Sequence, residues 1–221
     1  MAVINLRNIK DEWVFFLRNS DILTITERGV STTTEEGTWS SDTSQLINKT
    51  NVKNIRSITV DASPIIYGTD FTVDTDFDDS GIKKTKITLV AAQTGAFIIT
   101  YDFGTDSIFP DYPKDNLSLS SYPRVACDIL GVDSEPLGFG DQKVADNTNI
   151  ILTALVYASK TTKVDATIDL IRSAVKTSER GFFYFKYIRM ASMGPLIDTP
   201  VNQRIIHRNI DFISAFNIET A

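Results

Sequence analysis

The chain of 221 residues is 42% apolar and carries 13 Phe, 7 Tyr and 2 Trp. That is enough to build one large core or two small ones, and it excludes disorder over most of the length. Its 22 basic and 28 acidic residues leave a net charge of −6 and a pI near 4.8, a poor balance for gripping nucleic-acid phosphates.

Cys127 is the only cysteine, so neither an internal disulfide nor a cysteine-rich zinc site is available. No apolar run approaches the roughly 20 residues that span a bilayer. The first residues, MAVINLRNIKDEW, lack the basic, apolar and small-residue regions of a signal peptide, so the sequence reads as that of a protein made in a cytoplasm.

In chain order, Ile9, Trp13, Phe16 and Leu17 share one face at helical spacing. Asn8 is expected to cap this helix, with Asp11 and Glu12 in its first turn and Arg18 and Asn19 closing it. The β-branched run 22–26 is expected to be extended. Residues 31–50, rich in Ser, Thr and Glu, read as a long loop or as short edge strands around Trp39.

From 54 to 101 the pattern is β. Ile58 and Val60 alternate with polar residues, and Tyr67-Gly68-Thr69-Asp70 turns into Phe71-Thr72-Val73. Asp79-Ser80-Gly81 marks a tight connection before Ile87-Thr88-Leu89, and Gln93-Thr94-Gly95 marks another before 96–101. Pro110, Pro113, Asp111 and Asp115 read as a linker.

The last third predicts strands at 124–130, 149–157 and 204–216 and an aromatic extended stretch at 182–190. Between them, 162–177 predicts a helix with Val164, Ile168, Ile171 and Val175 on one face. Thr162 with Asp165 reads as a capping box and Gly181 as the terminator. Residues 131–146 read as a flexible loop.

Local chemistry is sparse. Asp74-Thr75-Asp76-Phe77-Asp78-Asp79-Ser80-Gly81 alternates carboxylates as a calcium loop does, but Asp79 stands where an EF-hand needs Gly and Thr85 where it needs Glu. A solvated turn, its acids met by Lys83, Lys84 and Lys86, accounts for the same residues. Cys127 lies among apolar neighbours and reads as a core residue. His207, the only histidine, sits in an alternating strand, and no Gly-x-Ser-x-Gly elbow accompanies it. Gly138-Phe139-Gly140 lacks the third glycine of a dinucleotide fingerprint. The aromatic run from Phe182 to Tyr187 reads more simply as a buried or interfacial strand than as a base-stacking platform.

Two sets of residues resemble known families. Tyr67-Gly68-Thr69-Asp70-Phe71-Thr72-Val73-Asp74, Ile87-Thr88-Leu89 and Gly95-Ala96-Phe97-Ile98-Ile99-Thr100-Tyr101 together resemble a β-module common in virion proteins of tailed viruses. Tyr122-Pro123-Arg124-Val125, the strand 150–157, Asp169-Leu170-Ile171-Arg172 and Arg208-Asn209-Ile210-Asp211-Phe212 resemble a tail terminator or tail-completion (neck) protein of tailed bacteriophages and related archaeal tailed viruses.

The resemblance covers about half the chain and implies an α+β fold, a small antiparallel or mixed sheet flanked by helices, with an additional β-rich domain. Residues 1–28 and 111–221 would form the core and 29–110 the insertion. It implies a structural virion protein without catalysis or cofactor, assembled in the host cytoplasm. Subunits would close into a ring, a hexamer in that family, capping the tail tube. The tail tube protein and a head-completion or adaptor protein would be its partners, DNA would pass the lumen without specific binding, and no membrane is involved.

Arg172, Arg189, Arg204, Arg208, Phe183 and Phe185 are the expected interface residues, because arginine and aromatics are enriched at interfaces, and the ring contact is expected to use the sheet edges, such as the strands 182–187 and 204–216, and the 131–146 loop. The competing readings are a neck adaptor or stopper, a calcium-dependent adhesin-like module built on the β-region, and a hydrolase using His207.

Overall fold

The computed structural model describes residues 6–110, 123–137, 145–178, 186–199 and 205–219. The chain divides into two compact units, one formed by Met1–Leu23 with Ser107–Ala221, the other by Thr24–Asp106. The fold is mainly β with a few helices, consistent with the α+β class. The junctions fall after Leu23 and Asp106 rather than at the expected 28 and 110.

The first unit is built on a six-stranded sheet. Its strands are β6 (Ile108–Phe109), β7 (Arg124–Leu137), β8 (Ala145–Ala158), β9 (Lys186–Met193), β10 (Ile197–Thr199) and β11 (Ile205–Glu219). The order is β10-β11-β8-β7-β6, with β9 also on β11. All pairs are antiparallel except β6 with β7.

Alternation decides its faces. Val125, Cys127, Ile150, Leu152, Ala154, Val156, Ile210 and Phe212 turn to one side and are buried there with the apolar stripes of α1 (Leu6–Asn19) and α3 (Thr161–Ser178). Trp13 on α1 is fully buried and donates its indole N–H to the Thr153 carbonyl at 3.0 Å. Its ring meets Phe212 edge-on at 5.4 Å. One side chain therefore anchors helix to sheet through both area and a satisfied polar atom.

Helix α1 is already running at Leu6, so Asn8 lies inside it, and neither Asp11 nor Glu12 is in its first turn. Helix α3 starts from Lys160, whose carbonyl accepts from the amides of Lys163 and Val164. Thr162 is thus not its cap, and Asp165 instead accepts from Arg208 at 2.8 Å. Residues 131–137 and 145–146 are strand rather than loop, because β7 and β8 pair along their whole length. Gly138-Phe139-Gly140, Gly181 and the segment 182–185 lie outside the described residues.

The second unit is a five-stranded antiparallel sheet on one long spine. The strands are β1 (Val30–Leu46), β2 (Val52–Val60), β3 (Ser63–Ile65), β4 (Phe71–Asp79) and β5 (Ile82–Gly104). The 23-residue β5 pairs with β1 on one edge; on the other, β2 takes its C-terminal half and β4 its N-terminal half.

The expected turn at Gln93-Thr94-Gly95 is therefore strand. Gly95 is needed within it because its φ is 129° and the Asp61 carboxylate occupies the space of a Cβ, accepting from Ala96 N at 2.9 Å. Residues 31–46 are one 17-residue strand with β1's Val30, not a loop, and Trp39 is buried there against Phe97 at 4.6 Å. The run 22–26 is not extended throughout. Thr24 caps the short α2 (Ile25–Arg28), with the Glu27 carboxylate accepting from Thr24 N at 3.0 Å.

Candidate functional site

The sequence-nominated groups do not converge on one centre among the described residues. Cys127 is fully buried between the sheet and the helices of its unit, where a core thiol belongs. His207 packs against Tyr157 with ring centroids 5.3 Å apart, and burial pushes its pKa below the ordinary imidazole value. Nearby on the same strand, Asp211 accepts from Thr153 at 2.8 Å, Ser192 at 2.7 Å and Asn209 at 3.0 Å. These neutral donors occupy the carboxylate structurally.

The acidic hairpin between β4 and β5 follows turn chemistry. Asp74 accepts from Asp76 N at 3.0 Å and Asp78 from Gly81 N at 2.7 Å. Lys84 pairs with Asp79 at 2.5 Å, and Lys86 lies over the Phe77 ring at 4.6 Å. Among the described residues, no group of three or more His, Cys, Asp or Glu is arranged to hold a metal ion.

A buried ionic cluster in the second unit was not foreseen. Arg28 forks onto Asp106, Nε to Oδ1 at 3.2 Å and Nη2 to Oδ2 at 2.6 Å, while its Nη1 reaches Asp102 Oδ2 at 2.9 Å. All three side chains are at most 1% exposed. Asp102 Oδ1 also accepts from Thr32 and from Arg56, both at 2.7 Å.

Burial alone would push Asp102 up; the hydrogen bonds from Arg56 and Thr32, with the charges of Arg28 and Arg56, outweigh it and hold the carboxyl below its ordinary value. Burial likewise opposes the Arg28 charge, and Asp106 and Asp102 overcome it. The cluster joins the first and last segments of its unit. It holds the fold; its charges face one another rather than a ligand. The only sequence signal within reach was the Thr24-x-x-Glu27 capping box that delivers Arg28, since Asp102 and Asp106 follow 74 and 78 residues later.

The expected interface residues are dispersed. Arg172 is exposed on α3, 3.9 Å from Asp169. Arg208 is engaged with Asp165. Arg189 is exposed on β9, opposite Ile213. Arg204, Phe183 and Phe185 lie outside the described residues.

Sheet margins are surfaces a partner can read; the second unit offers the edge of β1 and exposed Ile66, Ile82 and Val90, and the first unit offers two margins of its own. β6 covers β7 only at Val125 and Ala126, and among the described residues no strand pairs with β7 beyond them or with the outer edge of β9. Each margin exposes apolar side chains, Leu130 at 52% and Val132 at 44% on β7, Met190 at 44% and Met193 at 42% on β9. Among the described residues, no helix is long and apolar enough to cross a membrane. No family model matches the chain, and neither a curated protein nor a solved structure matches it.

Proposed function

We propose that this chain is a structural subunit of a virion's head-tail junction, of the tail-terminator or tail-completion kind. Copies assemble into a closed ring, a hexamer in the family it resembles, that caps the tail tube and joins it to the neck while DNA passes through. It works by surfaces and not by catalysis. The tail tube protein and a head-completion adaptor are its neighbours, and assembly takes place in the host cytoplasm.

The observation that carries this reading is the pair of sheet margins on the first unit that no strand covers among the described residues, each with exposed apolar residues. A cyclic assembly requires two different surfaces on every subunit, one for each neighbour. Open strand edges invite pairing and are usually blunted or covered in monomers. The sheet with its helices on one face also fits the fold implied by the resemblance. The net charge of −6 suits a passage through which DNA must move without adhering.

The inserted Thr24–Asp106 unit favours a second reading within the same class. It would serve as an added contact module, making the chain a neck adaptor or stopper.

Negative-stain imaging of the purified protein tests the proposal. Rings with an open centre that do not retain duplex DNA at physiological salt are the expected result. Isolated single copies, or rings that hold DNA tightly, would overturn it.

A further inference from the structure

We infer that neighbouring copies join by strand addition, the β7 edge of one beyond Leu130 pairing antiparallel with the outer β9 edge of the next, both unpaired among the described residues. This rests on and deepens the ring reading, because it names the contact that would close the ring.

Strand direction comes first. β7, β8, β11 and β9 follow one another across the sheet and each pair is antiparallel, so β7 and β9 run in opposite senses. A second copy whose sheet continues that of the first in the same orientation brings its β9 alongside β7 in the antiparallel sense. Antiparallel addition to an exposed edge is a standard recognition mode, main-chain hydrogen bonds supplying affinity and side chains specificity.

The side chains at the two edges are complementary. By sequence, β7 beyond Arg124 carries Asp128, already paired with Lys10 at 3.0 Å, and Asp133 and Glu135, with no basic residue, whereas β9 carries Lys186 and Arg189 and no acidic one. Asp133 and Arg189 are both exposed. Asp133 aligns with Asn149, and Arg189 aligns through Ile213 with Ile151, so pleat alternation sets both on the sheet face away from the helices. Val132 aligns with Ile150, and Met190 through Phe212 with Leu152, which sets both on the opposite, helix-bearing face. Acid would therefore meet base on one face while apolar meets apolar on the other.

One register satisfies both pairs. The row of Val132 lies two residues along β8 from that of Met190, and the row of Asp133 lies the same distance and direction from that of Arg189. A stagger of two residues between copies sets Val132 opposite Met190 and Asp133 opposite Arg189 at once. An even stagger also keeps the helix-bearing faces of successive copies on the same side, whereas an odd one would reverse every side chain.

The test is a disulfide trap in the full chain, the double variant Val132→Cys with Met190→Cys. Within one chain these positions are three strand spacings apart, about 14 Å. A disulfide needs Cα atoms within about 7 Å. Any bond formed between these positions is therefore between copies.

Mild oxidation should give a ladder of covalent multimers ending at the ring mass, absent from either single variant. Rings without a ladder would overturn the edge pairing and leave the ring reading standing. A ladder of open chains that never close would keep the pairing and remove the ring. Monomers without a ladder would overturn both.

A charge exchange tests the register independently of any cysteine. Asp133→Lys alone and Arg189→Glu alone each bring like charges together and should lose the assembly. Mixed one to one, every contact is again acid against base, and assembly should return. Assembly by each variant alone, or no recovery on mixing, would overturn the pairing.

Discussion

Both units of this chain bury an apolar layer, and the second adds a buried ionic clamp to it. In the first, sheet and helices close over an apolar layer from Ile9 and Trp13 to Phe212, and its buried Asp211 is satisfied by neutral donors. In the second, the long edge strand β1 buries only Val30 and Trp39 firmly, and the segments entering and leaving the unit are joined by Arg28, Asp102 and Asp106. Apolar burial is non-directional and tolerates loose specification. A buried ion pair stabilises only when every partner is in place, and it fixes one arrangement of its segments when it is. The charged clamp suits a unit whose first and last segments have to be held together.

The largest expected effects separate the units. Arg28→Met takes the guanidinium away from buried Asp106 and leaves Asp102 with Arg56 and Thr32, and should cost about 3–5 kcal/mol. Hydrogen exchange should rise throughout 24–106 and little in 145–178. Trp13→Ala should cost a similar ~3–5 kcal/mol by opening a cavity, with the opposite exchange pattern. Uniform loosening by either variant would show that the units share one stability.

Acid should break the comparison in a definite direction. The Asp102 carboxyl is held below its ordinary 3.8, so its contribution is fully present above that value and is lost as pH falls through the lower, folded value. The second unit should loosen as pH drops below that ordinary value. Asp102→Asn should lose this acid step and be less stable at neutral pH; an unchanged acid profile would remove Asp102 from the account.

A smaller effect is expected at Gly29, where φ is 69° at the end of α2 and an added Cβ would lie 2.7 Å from Thr105 Oγ1. Gly29→Ala should lower stability by about 1–2 kcal/mol, read by denaturant titration. The smallest effect belongs to the acidic hairpin, where Asp78 and Asp79 already have lysine partners. Calcium should leave the melting temperature unchanged, and a clear rise would revive the adhesin-like reading.

Legibility followed the same division. The stripe Val164, Ile168, Ile171 and Val175 announced α3 because helical period and burial coincide, and all four are in the core. The alternation of 150–156 and of 206–212 announced the central strands for the same reason. Strand β1 was obscure because its order comes from β5, to which it is paired over most of its length, and not from apolar residues of its own. The division of 82–104 into two strands failed because Gly95 has the look of a turn but is required by Asp61 from a neighbouring segment.

The Arg28 clamp was invisible for a related reason. Its partners are distant in the chain, and nothing local distinguishes a buried Asp102 from a surface one. At the proposed contact Arg189 reappears from the expected interface residues, and Asp133 lies in the 131–146 segment expected there as a loop; that the two edges could face one another carried no signal until the sheet order was known.

The central claim is that the chain works as a multi-copy assembly joined through its first unit. Light scattering of the unmodified protein over a range of concentrations tests it most directly. The account predicts a single species of several times 24.6 kDa that persists on dilution. A mass of one chain at every concentration would contradict it.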